Sequence, residues 1–159
     1  MTRHALEVES PLGTLQLVGE ANYLVELNWA GRHKQINPSS IVDTSVLSTA
    51  ADQLTEFLAG SRNHFTVPIK PMGTDFQLSV WSELQKVGWG VTRTYRDIAE
   101  QLGKPTGSRA IGGAVGRNPI PIFIPCHRII GSAGSLTGFS GGLKNKQILL
   151  QCEGHQIQA

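Results

Sequence analysis

Three prolines within seven residues, Pro119, Pro121 and Pro125, constrain this chain more than any other feature. They sit in Asn118-Pro119-Ile120-Pro121-Ile122-Phe123-Ile124-Pro125-Cys126-His127-Arg128-Ile129-Ile130. Proline lacks a backbone N–H and fixes its own φ, so neither a regular helix nor a central strand can run through this stretch. The apolar residues between the prolines call for burial. The segment is therefore expected to form a stiff, buried turn that carries Cys126, with His127 and Arg128 directly after it. Asn118 can brace such a turn by bonding the local backbone.

A thiol beside an imidazole and cations is expected to have a lowered pKa and raised nucleophilicity. On an extended chain neighbouring side chains point apart, so a turn or an intervening water is needed to connect Cys126 with His127. A third group should orient the imidazole. Glu153 is the candidate, delivered by a last helix expected over Leu143 to Gln151. Taken alone, Cys126 also reads as a buried structural thiol with a solvated His127. Zinc is a further option, because Cys152 and His155 have a C-x-x-H spacing. Adjacent Cys-His suits a four-ligand site poorly. With two cysteines there is no disulfide framework. Met1-Thr2-Arg3-His4-Ala5-Leu6-Glu7 has no apolar signal core, and no stretch approaches the ~20 apolar residues that cross a bilayer. A reducing cytoplasm with free thiols is the expected setting.

Charge divides the chain. Residues 1–71 hold five basic and seven acidic groups, and residues 72–159 nine and five, for nets of −2 and +4. This suggests an acidic half and a basic half that faces a polyanion, although random asymmetry of a solvated surface gives the same numbers. Lys70-Pro71-Met72-Gly73 looks like the linker. The expected organisation is a sheet-and-helix support domain over 1–71 and a mostly helical domain over 72–159, an α+β fold. In the first part, Thr14 to Val18 and Tyr23 to Trp29 read as antiparallel strands, and Glu7 to Ser10 leads into the Pro11-Leu12-Gly13 turn. Residues 31–44 read as loop, Ser48 to Ala59 as helix, and Phe65 to Ile69 as an edge strand carrying Pro68. In the second part, Thr74 with Gln77 forms a capping box for a helix with Phe76, Val80, Leu84 and Val87 on one face. Thr94 caps a short helix to Leu102. After the turn Gly103-Lys104-Pro105-Thr106-Gly107, Ser108 caps another helix ending near Gly116, which makes a helix-turn-helix candidate. Gly112 and Gly113 each cost that helix ~1 kcal/mol. So lean a helix lets its backbone approach something bulky, either a packed element or the DNA minor groove.

Pro125-Cys126-His127-Arg128, preceded by Asn118-Pro119-Ile120-Pro121 and followed by Gly138-Phe139-Ser140-Gly141-Gly142-Leu143, resembles the O6-alkylguanine-DNA alkyltransferases. The likeness runs from about Gly73 to Glu153 and includes Val80-Trp81, Thr94-Tyr95 and Arg109-Ala110-Ile111-Gly112-Gly113-Ala114; the N-terminal half matches only in element order and length. The resemblance implies a DNA repair protein that moves an alkyl group from guanine O6 onto its own cysteine, once and irreversibly. It implies Cys126 as acceptor, His127 as base through a water, Glu153 as the group orienting His127, and Asn118 as support of the turn. Tyr95 is implied to push the target phosphate and to protonate the leaving guanine, and Arg109 to fill the vacated stack after base flipping. Implied DNA contacts come from Thr94, Tyr95, Arg109, Ala110, Gly112 and Arg117. The implied guanine pocket takes Tyr95, Pro121, Ile129, Phe139 and Ser140 under a glycine-rich loop from Gly131 to Gly142. Taken singly, Tyr95 reads as core packing, Arg109 as a solvated phosphate contact and Ser140 as a turn residue. The implied partner is double-stranded DNA bearing O6-alkylguanine, bound by a monomer, with cooperative assembly on DNA and activity on O4-alkylthymine left open. No metal or diffusible cofactor is implied. Phe139, Ile148 and Cys152 depart from the family's common tyrosine, tryptophan and histidine, which bears on pocket shape. Two other readings differ in kind. A non-catalytic reader of alkylated DNA would lack Cys126, and a cysteine hydrolase would turn over without DNA.

Overall fold

The structure is a computed structural model that describes residues 2–36, 45–104, 107–132, 134–136 and 138–156. The expected loop at Asn37-Pro38-Ser39-Ser40 and the Pro105-Thr106 step of the expected turn lie outside these residues. The chain divides into two compact units, Met1–Met72 and Gly73–Ala159. Among the described residues no helix is long and apolar enough to cross a membrane.

The first unit is a three-stranded antiparallel sheet, β1 (Arg3–Val8), β2 (Leu15–Glu20) and β3 (Tyr23–Asn28), with β2 central. β1 is a strand that the sequence reading did not anticipate beyond its last residues. Helix α1 (Ser45–Leu58) lays Val46, Leu47, Ala50, Leu54 and Phe57 into the core, and it begins three residues earlier than expected. The register of β2 on β3 shifts between Val18 and Gly19. A Cβ on Gly19 would stand 2.8 Å from His4 Nε2 and 3.2 Å from Leu47 Cδ2, so a side chain here would have to displace the His4 ring and crowd Leu47 where the helix approaches the sheet. The Phe65–Ile69 stretch joins β3 by a single parallel bridge, Leu24 to Ile69, beside the donorless Pro68. Buried Gln53 holds this stretch as well, accepting from the backbone N–H groups of Thr66 and Val67.

The second unit contains α2 (Asp75–Gln85), β4 (Arg93–Thr94), α3 (Tyr95–Gln101), α4 (Ser108–Gly116), a 3₁₀ turn (Cys126–Arg128), β5 (Ile129–Ile130) and α5 (Leu143–Cys152). Two capping boxes start its first helices. Thr74 and Gln77 bond each other's backbone N–H at α2, and Thr94 and Asp97 do the same at α3. Each satisfies two otherwise orphaned donors, worth about 1 kcal/mol. The start of α4 differs from expectation. Ser108 lies inside the helix, and the residue at the cap is Gly107, which has no side-chain bond to offer. Buried Trp81 donates its indole N–H to the Ala114 carbonyl at 2.9 Å and so fixes α4 against α2. β4 and β5 pair in parallel, Arg93 with Ile129 and Thr94 with Ile130.

Candidate active site

The proline-rich segment is buried almost throughout, from Ile120 to Ile129. Asn118 braces it from within: its amide N–H donates to Ile124 O at 2.8 Å, and its side-chain oxygen accepts from Ile120 N at 2.9 Å. Ile122, a β-branched residue, sits at φ 75° in the left-handed region. Such a backbone costs about 1–3 kcal/mol and persists only where surrounding bonds over-determine it. Its N–H is one of the donors around the Cys126 sulfur. Cys126 opens the 3₁₀ turn and is 2% exposed. The turn has about three residues per revolution, so Cys126 and His127 point roughly a third of a revolution apart rather than oppositely.

His127 is fully buried, and its Nε2 lies 2.6 Å from Glu153 Oε2. Glu153 closes α5 as its C-terminal cap residue. Its carboxylate is a hub. Gly90 N donates to Oε1 at 3.0 Å, and Arg128 reaches it through Nε at 2.9 and 3.0 Å and Nη2 at 2.9 Å. Burial by itself would raise the Glu153 carboxyl. The bonds from His127, Arg128 and Gly90 overcome it and hold the group down at about 2. Burial pushes His127 below its ordinary value, against the pull of Glu153 and with the repulsion of Arg128 and Lys146. The imidazole therefore rests neutral.

The thiol departs from the sequence expectation. Burial pushes Cys126 up to about 11, and this outweighs the lowering from the Asn118 side chain, the charge of Lys146 and the N–H groups of Cys126 and Ile122. At neutral pH the sulfur is protonated and must lose that proton before it can attack.

Lys146 is a site residue that the sequence reading passed over. It is fully buried on α5, donates to Ile129 O at 2.6 Å and has its Nζ 5.9 Å from the centre of the Phe139 ring. Burial brings its ammonium down to about 8, and the Cys126 charge opposes this. The signal was present in the spacing. Lys146, Leu149, Leu150 and Glu153 occupy the i, i+3, i+4, i+7 positions of one helix face, where two charges stand in an otherwise apolar stripe.

Among the residues expected to contact DNA, Tyr95 is the first residue of α3, and the position a Cβ on Gly112 would take lies 3.9 Å from its ring. Arg109, Ala110 and Arg117 are exposed on or just after α4; Thr94 and Gly112 are half-buried. Pro121 is buried in the proline-rich segment before the Cys126 turn and Ile129 directly after it, and Phe139 and Ser140 are half-buried in the loop before α5. Among the described residues no three His, Cys, Asp or Glu side chains are grouped to hold a metal.

The Glu153 hub makes a pH prediction. The unfolded carboxyl titrates near 4.5 and the folded one near 2. The unfolded state thus binds more protons between these values, so stability is present above 4.5 and is lost as pH falls towards 2, by about 3 kcal/mol. The neutral, buried His127 adds loss of the same sign below 6.5. Thermal melts from pH 7 to pH 3 should fall steeply, and Glu153→Gln should flatten the acid limb. An unchanged slope in that variant would show that the hub does not govern acid unfolding.

Residues 6–71 match the family described as 6-O-methylguanine DNA methyltransferase, ribonuclease-like domain, and residues 75–155 match the 6-O-methylguanine DNA methyltransferase, DNA binding domain. A Methanosarcina acetivorans protein named methylated-DNA–protein-cysteine methyltransferase is 44% identical over 148 residues, covering 92% of this chain and 95% of that one. An inducible Bacillus subtilis protein of the same name is 42% identical, covering 92% and 82%. The crystal structure of Mycobacterium tuberculosis OGT in complex with DNA superposes with a TM-score of 0.83 at 38% identity, over 96% of this chain and 92% of that one. With both of its units matched and its relatives aligned nearly end to end, the chain belongs to the methylated-DNA–protein-cysteine methyltransferase family.

Proposed function

We propose that this protein repairs DNA by taking the alkyl group from O6-alkylguanine onto Cys126 in a single, irreversible turnover. The observation that carries this reading is a buried cysteine on an Asn118-braced turn, followed directly by a histidine locked 2.6 Å from a buried carboxylate. The unit 1–71 supports the fold, and 72–159 binds double-stranded DNA and accepts the alkyl group.

The neutral His127 takes the Cys126 proton by way of a water, and Glu153 stabilises the imidazolium that forms. The thiolate then attacks the methyl carbon in line. The new S–C bond forms as the C–O6 bond breaks, and the electron pair passes into the guanine ring. Tyr95 protonates the leaving base, which restores guanine. No step releases the methyl group from sulfur, so the protein is consumed. The exposed face of α4, with Ala110, Gly113 and Gly116 beside Arg109, supports entry into the minor groove, where short side chains fit. A thiol 2% exposed cannot reach O6 within a stacked duplex, which supports extrusion of the nucleotide.

Intact-protein mass spectrometry after incubation with O6-methylguanine duplex should show one added methyl, mapped to the Cys126 peptide and absent in Cys126→Ser. Repeated turnover, or DNA binding with no adduct, would overturn the reading. The same measurement on O4-methylthymine duplex tests that second substrate.

A further inference from the structure

Arg128 makes more contacts than a supporting residue of the turn requires. It is only 7% exposed, and its guanidinium serves two separate acceptors, Glu153 and Val87. One face of its guanidinium, Nε and Nη2, meets Glu153, and its remaining nitrogen, Nη1, donates to Val87 O at 2.7 Å. Gly90, three residues beyond Val87, also donates to Glu153. A single planar fork therefore ties the 3₁₀ turn to the end of α5 and to the segment that follows α2. A lysine is one point charge on a flexible stem and could not serve both acceptors with this geometry.

The electrostatic consequence concerns His127. A buried carboxylate with an imidazole as its main partner favours the proton on the imidazole, because burying an ion pair costs less than burying a lone anion. An imidazole protonated at rest cannot take a proton from Cys126. Here a permanent cation already balances Glu153. The charged groups that act on His127 include Glu153 and Lys146 from α5 and Arg128 from the turn. A further proton on His127 would meet the repulsion of Arg128 and Lys146 as well as the attraction of Glu153.

We infer that Arg128 is a positioning residue for the transfer: its fork holds the Glu153 carboxylate and balances its charge, so that Glu153 orients His127 while leaving it free to accept the Cys126 proton. This rests on the methyl-transfer reading, with His127 as base.

The test compares the full-length protein with Arg128→Gln and Arg128→Lys. One readout is the His127 imidazole titration by NMR, assigned by its loss in His127→Gln. The other is the single-turnover rate of Cys126 methylation by O6-methylguanine duplex from pH 6 to pH 8. In Arg128→Gln the His127 titration should move up by about one unit or more, a tenfold gain in proton affinity. The ratio of variant to wild-type rate should then be lowest at pH 6 and rise several-fold by pH 8, as the base form returns. Arg128→Lys keeps the charge and loses the fork, so its titration should rise by less than the glutamine variant's. A folded Arg128→Gln protein with an unmoved His127 titration, or a rate loss of the same size at every pH, overturns the proposal. If Arg128→Gln does not fold, as judged by circular dichroism, Arg128→Lys decides: an upward movement of its His127 titration from the wild-type value supports the role and none overturns it. A wild-type protein that forms no adduct would sink the methyl-transfer reading, while the titration still reports whether Arg128 keeps His127 neutral.

Discussion

Glu153→Gln should lower the single-turnover rate of Cys126 methylation by about 100-fold or more and destabilise the protein by about 3 kcal/mol. Both effects come from the same contacts. The carboxylate accepts from Gly90, Arg128 and His127 at once, while an amide offers one oxygen and turns its NH2 towards donors. Arg128 then sits buried without a counter-charge, and removing one partner of a buried pair costs several kcal/mol. His127 loses the acceptor that stabilises its charged form just as the Cys126 proton arrives. The thiol rests protonated, at about 11, so the rate depends heavily on that proton acceptor. Quench-flow kinetics and urea unfolding measure the two losses. A variant that kept wild-type rate while losing stability would make Glu153 a purely structural residue.

Arg109→Ala should cut methylation by O6-methylguanine duplex by about 10- to 100-fold and leave the reaction with free O6-benzylguanine within about twofold. Extruding a nucleotide costs a few kcal/mol of stacking, and a side chain that occupies the gap returns part of it. Arg109 is exposed near the start of α4 while the thiol is buried, so the free base should react without it. Equal losses on both substrates would reject the stack-filling role. Competition between the two substrates in one tube gives the ratio directly.

The readable parts of this chain are those encoded by local chemistry. Thr74 with Gln77 and Thr94 ahead of Tyr95 mark helix starts because caps act within one turn. Pro119, Pro121 and Pro125 mark the turn because proline restricts its own backbone. β1 escaped because Ala5, Leu6 and Glu7 are all exposed. The strand is made by backbone pairing with β2 and shows no alternation of buried and exposed side chains. Arg128 and Lys146 escaped because charged residues read as solvated until a fold buries them. The thiol was misjudged for a related reason. Sequence shows the charges next to Cys126, but only tertiary packing shows the desolvation that outweighs them.

The two-residue pairing of β4 with β5 has a consequence for how damage is met. Arg93 and Thr94 lead directly into Tyr95, while Ile129 and Ile130 follow directly on the Cys126–Arg128 turn. The backbone that leads into Tyr95 and the backbone that leaves the Cys126–Arg128 turn are therefore neighbouring strands, about 4.8 Å apart. This pairing works as a ruler. It sets the offset between the start of α3 and the end of the Cys126–Arg128 turn by hydrogen-bond pitch rather than by loop length. The described residues from Gly138 to Gly142 lie outside this pairing, so under the proposed function a change of length there would leave the offset between Tyr95 and the Cys126 turn as it is.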